Sequence, residues 1–324
     1  MAEENKACLH AYKLDGNGAG ALIDPAVITG PDDGSLLWLH FNGRHPDTKK
    51  FMRDVLRLDP LMTKSLLADE TRPRLEEIEQ GALVILRGIH FHPGPDPEDL
   101  VSVRIWIAGN RIITVGRRKS QAISEMSDRL LHTKGPKRAG EFLAMLCNSL
   151  HDGIEPVLHD LEETTDALEE KSLDNPGSDL RNDIAMVRKQ AILFRRHMSP
   201  QKDVVSHLRH LQQDWMTDGD RWYMQDNYDR VTRYIESLDS IRERAQIVQD
   251  ELTTALTARL NQSIHLLSAI TVVFMPLTFL TGLFGINVAG IPWAEYPAAF
   301  ALFCLFLVVI VIIELALFRR LKWF

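Results

Sequence analysis

Cysteine is scarce in this chain, and its few cysteines are scattered. Three occur among 324 residues, Cys8, Cys147 and Cys304, and no two of them form a Cys-x-x-Cys pair. Closely spaced thiols are the usual ligands of a structural zinc knuckle, and an even set of cysteines usually marks a disulfide framework. The sequence therefore predicts neither, which is consistent with a reducing cytoplasm.

Motifs of phosphate and acyl-transfer chemistry are also missing. The chain contains no glycine-rich phosphate loop, no Walker pattern and no nucleophile elbow, the local motifs through which many enzymes place a reactive group. A formal net charge of −7 at pH 7 disfavours nucleic-acid binding, which requires a basic face. We therefore expect no enzyme, no cofactor and no nucleic-acid partner.

Charge is almost absent from two stretches in the last quarter of the chain. Residues 263–283 carry no acid, lysine or arginine, and residues 298–318 carry only Glu314. Each stretch has about 20 residues, the length of an α-helix that crosses the hydrocarbon core of a bilayer. The short connection between them cannot hold a domain, so the two stretches predict a helical hairpin in the lipid bilayer.

Basic residues flank this hairpin on one side only. Arg259 precedes the first stretch and the tail 319–324 carries three basic residues, whereas the connecting loop has Glu295 and no lysine or arginine. The positive-inside rule therefore predicts that both termini lie in the cytoplasm and the loop outside. The N-terminal residues lack the basic and apolar regions of a secretory signal, so no cleaved signal is expected.

Residues 1 to about 150 show the pattern of a mixed α/β fold. Short apolar runs predict strands at 36–41, 82–90, 100–107 and 111–115. Gly109-Asn110 separates the last two runs and predicts a hairpin. Helical spacing over 47–69 is interrupted at Asp59-Pro60.

From about residue 137 the pattern becomes helical. An acidic amphipathic helix is predicted over 141–172, and a basic one over 179–197 that stops at Ser199-Pro200. Residues 221–275 contain neither glycine nor proline, and their apolar residues recur in heptads. At 1.5 Å per residue, this helix would be roughly 80 Å long. It needs partners along its line of apolar heptad residues, which we call the seam, and identical copies are the simplest partners.

Small and hydroxyl-bearing side chains recur along one face of the first apolar stretch. Their spacing alternates between three and four residues, as on one side of a helix. The stripe consists of Asn261, Ile264, Ser268, Thr271, Met275, Thr278, Gly282 and Gly285. Two interpretations are open: the stripe lines a narrow aqueous path, or its small residues let membrane helices approach closely.

Asn287 follows this stripe at the predicted outer end of the span. A ring of amide oxygens from several copies could hold the water shell of a divalent ion and still release it, and Mg²⁺ in particular keeps its waters. Alternatively, Asn287 only turns the chain after Gly285. Glu295 is the one acid of the loop. It could concentrate cations at the outer entrance of the aqueous path, or it could be an ordinary solvated residue.

The tripeptide Gly285-Ile286-Asn287, in this setting, resembles the Gly-Met-Asn signature of the CorA-type divalent-cation transporters. Met275-Pro276-Leu277-Thr278, Arg72-Pro73-Arg74 and the basic tail are further matches. Ile286 stands where most members of the family have methionine. Gly-Ile-Asn followed by residues 288–292 is similar to the ZntB branch of the family, which is associated with zinc.

This resemblance implies a homopentamer with an α/β cytoplasmic funnel, a stalk helix continuing into the pore-lining span, and a second span outside it. It implies transport of divalent cations, most of all Zn²⁺, across a bacterial inner membrane. Because the chain has no Walker pattern, we expect ion gradients and not ATP to drive the transport. Asn287 would contact the hydrated ion through its waters. The stripe itself does not select zinc over Mg²⁺, Co²⁺ or Ni²⁺, because it lacks the His, Cys and carboxylate ligands of zinc sites.

Two other functions stay open at this point: a Mg²⁺/Co²⁺ channel of the same fold, and a membrane-anchored metal sensor or scaffold.

The chain divides into six predicted parts: 1–200, the cytoplasmic α/β domain with helical arms; 201–262, the stalk helix; 263–284, the first span; 285–297, the external loop with the Gly-Ile-Asn motif; 298–318, the second span; and 319–324, the basic cytoplasmic tail.

Overall fold

The computed structural model describes residues 6–25, 34–69, 72–78, 81–89, 100–174, 178–286 and 297–320. They divide into two compact units, Met1–Asp250 and Glu251–Phe324. The strands are β1 (Cys8–Leu14), β2 (Gly20–Leu22), β3 (Leu37–Asn42), β4 (Arg74–Ile78), β5 (Gly81–Ile89), β6 (Leu100–Ala108) and β7 (Arg111–Gly116). The helices are α1 (Pro46–Asp54), α2 (Pro60–Leu67), α3 (Gln121–Leu131), α4 (Ala139–Asp152), α5 (Glu155–Asp174), α6 (Ser178–Leu208), α7 (Asp218–Phe284) and α8 (Ala299–Arg320).

The first unit is built on a seven-stranded sheet with the order β2-β1-β3-β7-β6-β5-β4. β3 and β7 are parallel, and the other neighbouring strands are antiparallel. The predicted hairpin between β6 and β7 is confirmed, because Ala108 pairs with Arg111. Gly109 has a φ of +52°, in the left-handed region that glycine occupies without a steric penalty.

Each face of the sheet is covered by a hydrophobic core. Successive side chains of a strand point to opposite faces, so Val103 and Ile105 of β6 join the core formed with α3 and α4. Trp106 of the same strand joins the opposite core, which includes Met52 of α1 and Leu66 of α2. The first unit is therefore a sheet between two helical layers, as the mixed α/β prediction requires.

Three of the predicted helix boundaries are wrong. The stalk helix was predicted to begin at residue 201, but residues 201–208 belong to α6 and α7 begins at Asp218. The acidic stretch 141–172 does not form one helix, because it breaks after Asp152 into α4 and α5. Gly153 caps α4, and glycine is a poor helix former. Buried Ile154 begins a new turn, with its N–H bonded to the carbonyl of His151 at 2.8 Å.

The predicted stop at Ser199-Pro200 does not occur, since α6 continues through Pro200 to Leu208. Proline removes one helical hydrogen bond and normally ends or kinks a helix. Here the helix is held on both sides of the proline by the buried residues Met198, Gln201 and Val205. Tertiary packing thus overrides the local preference of Pro200.

The N-terminal strands β1 and β2 were not predicted, although β1 supplies the buried residues Tyr12 and Leu14 to the sheet. The interruption at Asp59-Pro60 is confirmed as the gap between α1 and α2. Asp59 caps α2, and its Oδ1 accepts the N–H of Leu61 at 2.7 Å.

The heptad residues of α7 are buried within a single chain. The buried positions are Val231, Tyr234, Leu238, Ile241, Ala245 and Val248. Ion pairs link this part of α7 to its neighbours: Arg195 of α6 is 2.6 Å from Asp239, and Glu169 of α5 accepts from Arg244 at 2.7 Å. This part of the seam therefore has partners in its own chain and does not require identical copies, contrary to the expectation from the sequence.

Candidate ion pathway

α8 and the C-terminal part of α7 are the two helices in the described residues that are long and apolar enough to cross a membrane. Their large side chains are exposed, among them Phe274, Phe279 and Phe300, the last at 80%. Such a continuous apolar surface marks a membrane or protein contact. These helices contain the two stretches predicted from the sequence to span a bilayer.

One face of the first span packs against α8. Its less exposed residues are Ala269, Val273, Pro276, Leu277 and Leu280, which recur at helical spacing. Phe284 lies on the same face, and its ring centroid is 4.9 Å from that of Phe303 on α8. This face is apolar throughout, as a contact between two membrane helices requires.

The predicted stripe lies on the other side of the helix. Its seven members within α7, from Asn261 to Gly282, are all exposed in the single chain. At about 100° per residue, the centre of the stripe lies roughly 200° from the centre of the α8-facing residues. The small residues of the stripe therefore do not serve packing between α7 and α8, which leaves this face for an aqueous path, for other copies of the chain or for lipid.

Thr271 presents hydrogen-bond acceptors on this stripe. Its Oγ1 donates to the carbonyl of Leu267 at 2.8 Å, so the hydroxyl hydrogen is occupied within the helix. The oxygen lone pairs stay available for the hydrogens of water or for a cation. Thr281 makes the same bond to the carbonyl of Leu277 at 2.9 Å but is not part of the stripe.

The Gly-Ile-Asn motif begins where α7 ends. The N–H of Gly285 bonds to the carbonyl of Thr281 at 2.9 Å, and a Cβ at Gly285 would lie 3.0 Å from that same oxygen. This close approach favours glycine as the first residue of the motif. Asn287 and Glu295 lie outside the described residues, so their predicted roles stay predictions.

The described residues contain no cluster of three or more His, Cys, Asp or Glu side chains that could hold a metal ion. The acidic helix α5 is partly neutralised, because Arg244 of α7 forms ion pairs with Asp166 and Glu169. The geometry thus offers an exposed face of neutral oxygens in the span, without a metal cage in the part of the first unit that the structure describes.

Comparison with known proteins places the whole chain in one family. The family model described as "CorA-like Mg2+ transporter protein" matches residues 33–320. The divalent cation transporter CmaX of Pseudomonas aeruginosa is 33% identical, over 99% of this chain and 98% of that protein. The zinc transport protein ZntB of Pectobacterium atrosepticum is 34% identical, over 99% of this chain and 97% of that protein.

Solved structures agree with this placement. Full-length CmaX superposes with a TM-score of 0.85 at 33% identity, covering 98% of each chain. The CorA magnesium transporter of Methanocaldococcus jannaschii has the same fold, with a TM-score of 0.82 over 97% of this chain and 99% of that one, at 23% identity. The predicted fold, an α/β domain with a long helix and C-terminal apolar helices, is therefore confirmed. Together with the sequence matches, it shows that this chain belongs to the CorA family, on the ZntB-like branch.

Proposed function

We propose that this protein transports divalent metal cations, most of all Zn²⁺, across the bacterial inner membrane through a pore formed by identical copies. The observation that carries the proposal is the position of the stripe, exposed on the α7 face opposite α8. In a ring of copies this face would point to the axis and α8 to the lipid. Ion gradients would drive the flux, because the chain has no motif for ATP hydrolysis.

Five copies are the expected number, from the family resemblance. Neutral oxygens around the axis suit a cation that keeps most of its waters, since they replace part of the hydration shell without binding the ion too tightly. Mass measurement of the detergent-solubilised protein tests the assembly. A monomer or a dimer would contradict a pore of this kind.

Zinc is proposed as the main substrate because relatives named as zinc transport proteins match over nearly the full length. A Mg²⁺/Co²⁺ channel is the second candidate, and the stripe favours it because the stripe lacks the His, Cys and carboxylate ligands that zinc prefers. Uptake of Zn²⁺, Mg²⁺ and Co²⁺ into proteoliposomes, each alone and in competition, distinguishes the two. Comparing uptake with and without a pH gradient tests proton coupling.

The role of the stripe can be tested with two threonines that make the same hydrogen bond within the helix. Thr271→Val removes an acceptor from the stripe and should reduce zinc flux severalfold. Thr281→Val removes an equivalent hydroxyl from another face of the helix and should leave the flux near that of the parent. Equal fluxes for the two variants would contradict the pore assignment and favour a membrane-anchored sensor or scaffold.

Asn287 is proposed as the outer selectivity residue. Asn287→Ala removes the ring of amide acceptors and should abolish or strongly reduce divalent flux while the oligomer stays assembled. Asn287→Asp should also impair turnover, because several carboxylates would hold a divalent ion too tightly to release it. Zinc transport by Asn287→Ala at the parental rate would show that this assignment is wrong.

The proposed topology places both termini in the cytoplasm and residues 288–297 outside, from the distribution of basic residues. A cysteine introduced at Ala294 should react with an impermeant maleimide added to intact cells that carry Cys304→Ser. Protection of this cysteine until the cells are opened would contradict the orientation.

A further inference from the structure

Four arginines surround a cavity of about 340 Å³ in the first unit. The lining side chains with polar groups are Arg44, Asp69, Ser102, Arg104, Arg117 and Arg118. Asp69 carries the one carboxylate among the lining residues that the structure describes. We call this cavity the arginine pocket, and it plays no part in the proposed ion pathway.

The topology of the sheet brings these arginines together. β3 and β7 are adjacent and parallel, so their carboxyl ends lie at the same edge of the sheet, where α/β folds commonly bind ligands. Arg44 follows the end of β3, and Arg117 follows the end of β7 directly. The N–H of Gly43 bonds to the carbonyl of Gly116 at 2.8 Å, which holds the two connecting segments side by side.

Arg104 adds a buried cation to this edge. It lies on β6, paired with Val115 of β7, and its side chain is only 2% exposed. Its Nη2 donates to the carbonyl of Ala68 at 2.8 Å. Its Nε and Nη1 are buried, and neither has a hydrogen-bond partner among the residues that the structure describes.

A buried charge without full hydrogen bonding is costly, and folded proteins usually pair such groups. Burial lowers the pKa of Arg104, and the charge of Arg87 lowers it further, yet a guanidinium stays protonated in proteins. Asp69 does not neutralise the buried charge of Arg104, because its carboxylate pairs with Arg117. An anion in the pocket would counter this positive charge at short range.

The chemistry and size of the pocket indicate the class of anion. Guanidinium groups match phosphate oxygens through planar, charge-assisted hydrogen bonds. A volume of about 340 Å³ lies near the lower end of ligand pockets. We propose that the arginine pocket binds a phosphate group, as inorganic phosphate or as the phosphoryl end of a small metabolite.

The test is isothermal titration of the full-length protein in detergent. The buffer contains a chelator, because phosphate binds the transported metals, and chloride keeps the ionic strength constant. Inorganic phosphate and AMP are the two probes. We expect saturable binding of at least one of them, with one site per chain and a dissociation constant of about a millimolar or less. Similar affinities for inorganic phosphate and AMP would identify free phosphate as the ligand. Tighter binding of AMP would identify a phosphorylated metabolite.

Variants locate the binding. Arg44→Gln and Arg117→Gln should each weaken the affinity about tenfold or more, the usual effect of losing one hydrogen bond to a charged group. Arg111→Gln removes the same charge at the opposite end of β7 and should leave the affinity unchanged. Arg44 is exposed, so its substitution leaves the core intact.

Arg104→Gln adds a measurement that does not depend on the surface arginines. It should abolish binding without lowering the Tm of the phosphate-free protein, because it removes an incompletely paired buried charge. Two results would overturn the proposal: no saturable binding of either probe up to 10 mM, chosen as about tenfold above the expected constant, or an equal loss of affinity in Arg111→Gln.

Discussion

His151 at the end of α4 should make the stability of the first unit sensitive to pH. It is completely buried, and its Nδ1 lies 2.8 Å from Oδ1 of Asn227 on α7. Its Nε2 lies 3.1 Å from Nε2 of Gln201 on α6. The amide of Gln201 is itself fixed, because it accepts from the N–H of Arg87 at 2.8 Å and donates to the carbonyl of the same residue at 2.9 Å.

These partners determine which nitrogen of His151 carries the proton. The Asn227 oxygen can only accept, so Nδ1 donates to it, and the Gln201 nitrogen can only donate, so Nε2 accepts from it. Protonation of Nε2 would place two N–H donors against each other. The pKa of His151 is lowered to about 4, mainly by burial and also by the charge of Arg230, against the raising effects of Asn227 and Asp152.

The loss of stability on acidification follows from the difference between the pKa of His151 in the folded and unfolded chain. The unfolded chain has a histidine pKa of about 6.5, so the contribution of neutral His151 is complete above pH 6.5 and is lost as the pH falls toward 4. Between pH 7 and pH 5 this loss amounts to about 2 kcal/mol, or roughly 4–8 °C in Tm for a unit of this size. Buried His40, with its pKa lowered to about 3, should contribute a similar loss.

The assay is thermal unfolding of the purified protein at pH 7, 6 and 5. His151→Gln cannot titrate in this range, so the variant should lose about 2 kcal/mol less than the parent on acidification. His159→Gln is the control, because His159 is exposed on α5, and it should show the pH dependence of the parent. The same pH dependence for His151→Gln and the parent would refute the reasoning.

Three further predictions concern packing and the pore mouth. Leu238→Ala should lower the free energy of unfolding by about 3–5 kcal/mol, because Leu238 is fully buried. The control is Ile247→Ala on the same helix, which should change the free energy of unfolding by no more than about 0.5 kcal/mol, because Ile247 is exposed. Gly88→Ala should lower the free energy of unfolding by about 1–3 kcal/mol, because a Cβ there would lie 2.6 Å from Cδ2 of Leu150. In a double-mutant cycle, Leu150→Ala in the same chain should relieve this clash. Glu295→Gln should raise the half-saturating zinc concentration at low ionic strength and leave maximal flux nearly unchanged, since salt screens long-range attraction; an unchanged half-saturating concentration would show that Glu295 attracts no cations.

Local sequence determined the elements whose cause is local. The two apolar stretches predicted the membrane helices, because an uncharged run of bilayer length has few other stable structures. Gly109 marked the β6–β7 turn because its backbone conformation favours glycine. The family signature at Gly285 was recognised by resemblance, and the structure adds a local reason for its glycine, since a Cβ there would lie 3.0 Å from the carbonyl oxygen of Thr281.

Tertiary structure decided the rest, because these features depend on residues far apart in the chain. Pro200 stays inside α6 only because the helix is held by packing on both sides, and the α7 seam is covered by α5 and α6. Sequence spacing identified the stripe, but only the packing of Phe284 against α8 showed that the stripe faces the other way. The arginine pocket was invisible in the sequence for the same reason. Arg44 and Arg117 are separated by most of the sheet along the chain, and the parallel pairing of β3 with β7 brings their strand ends together.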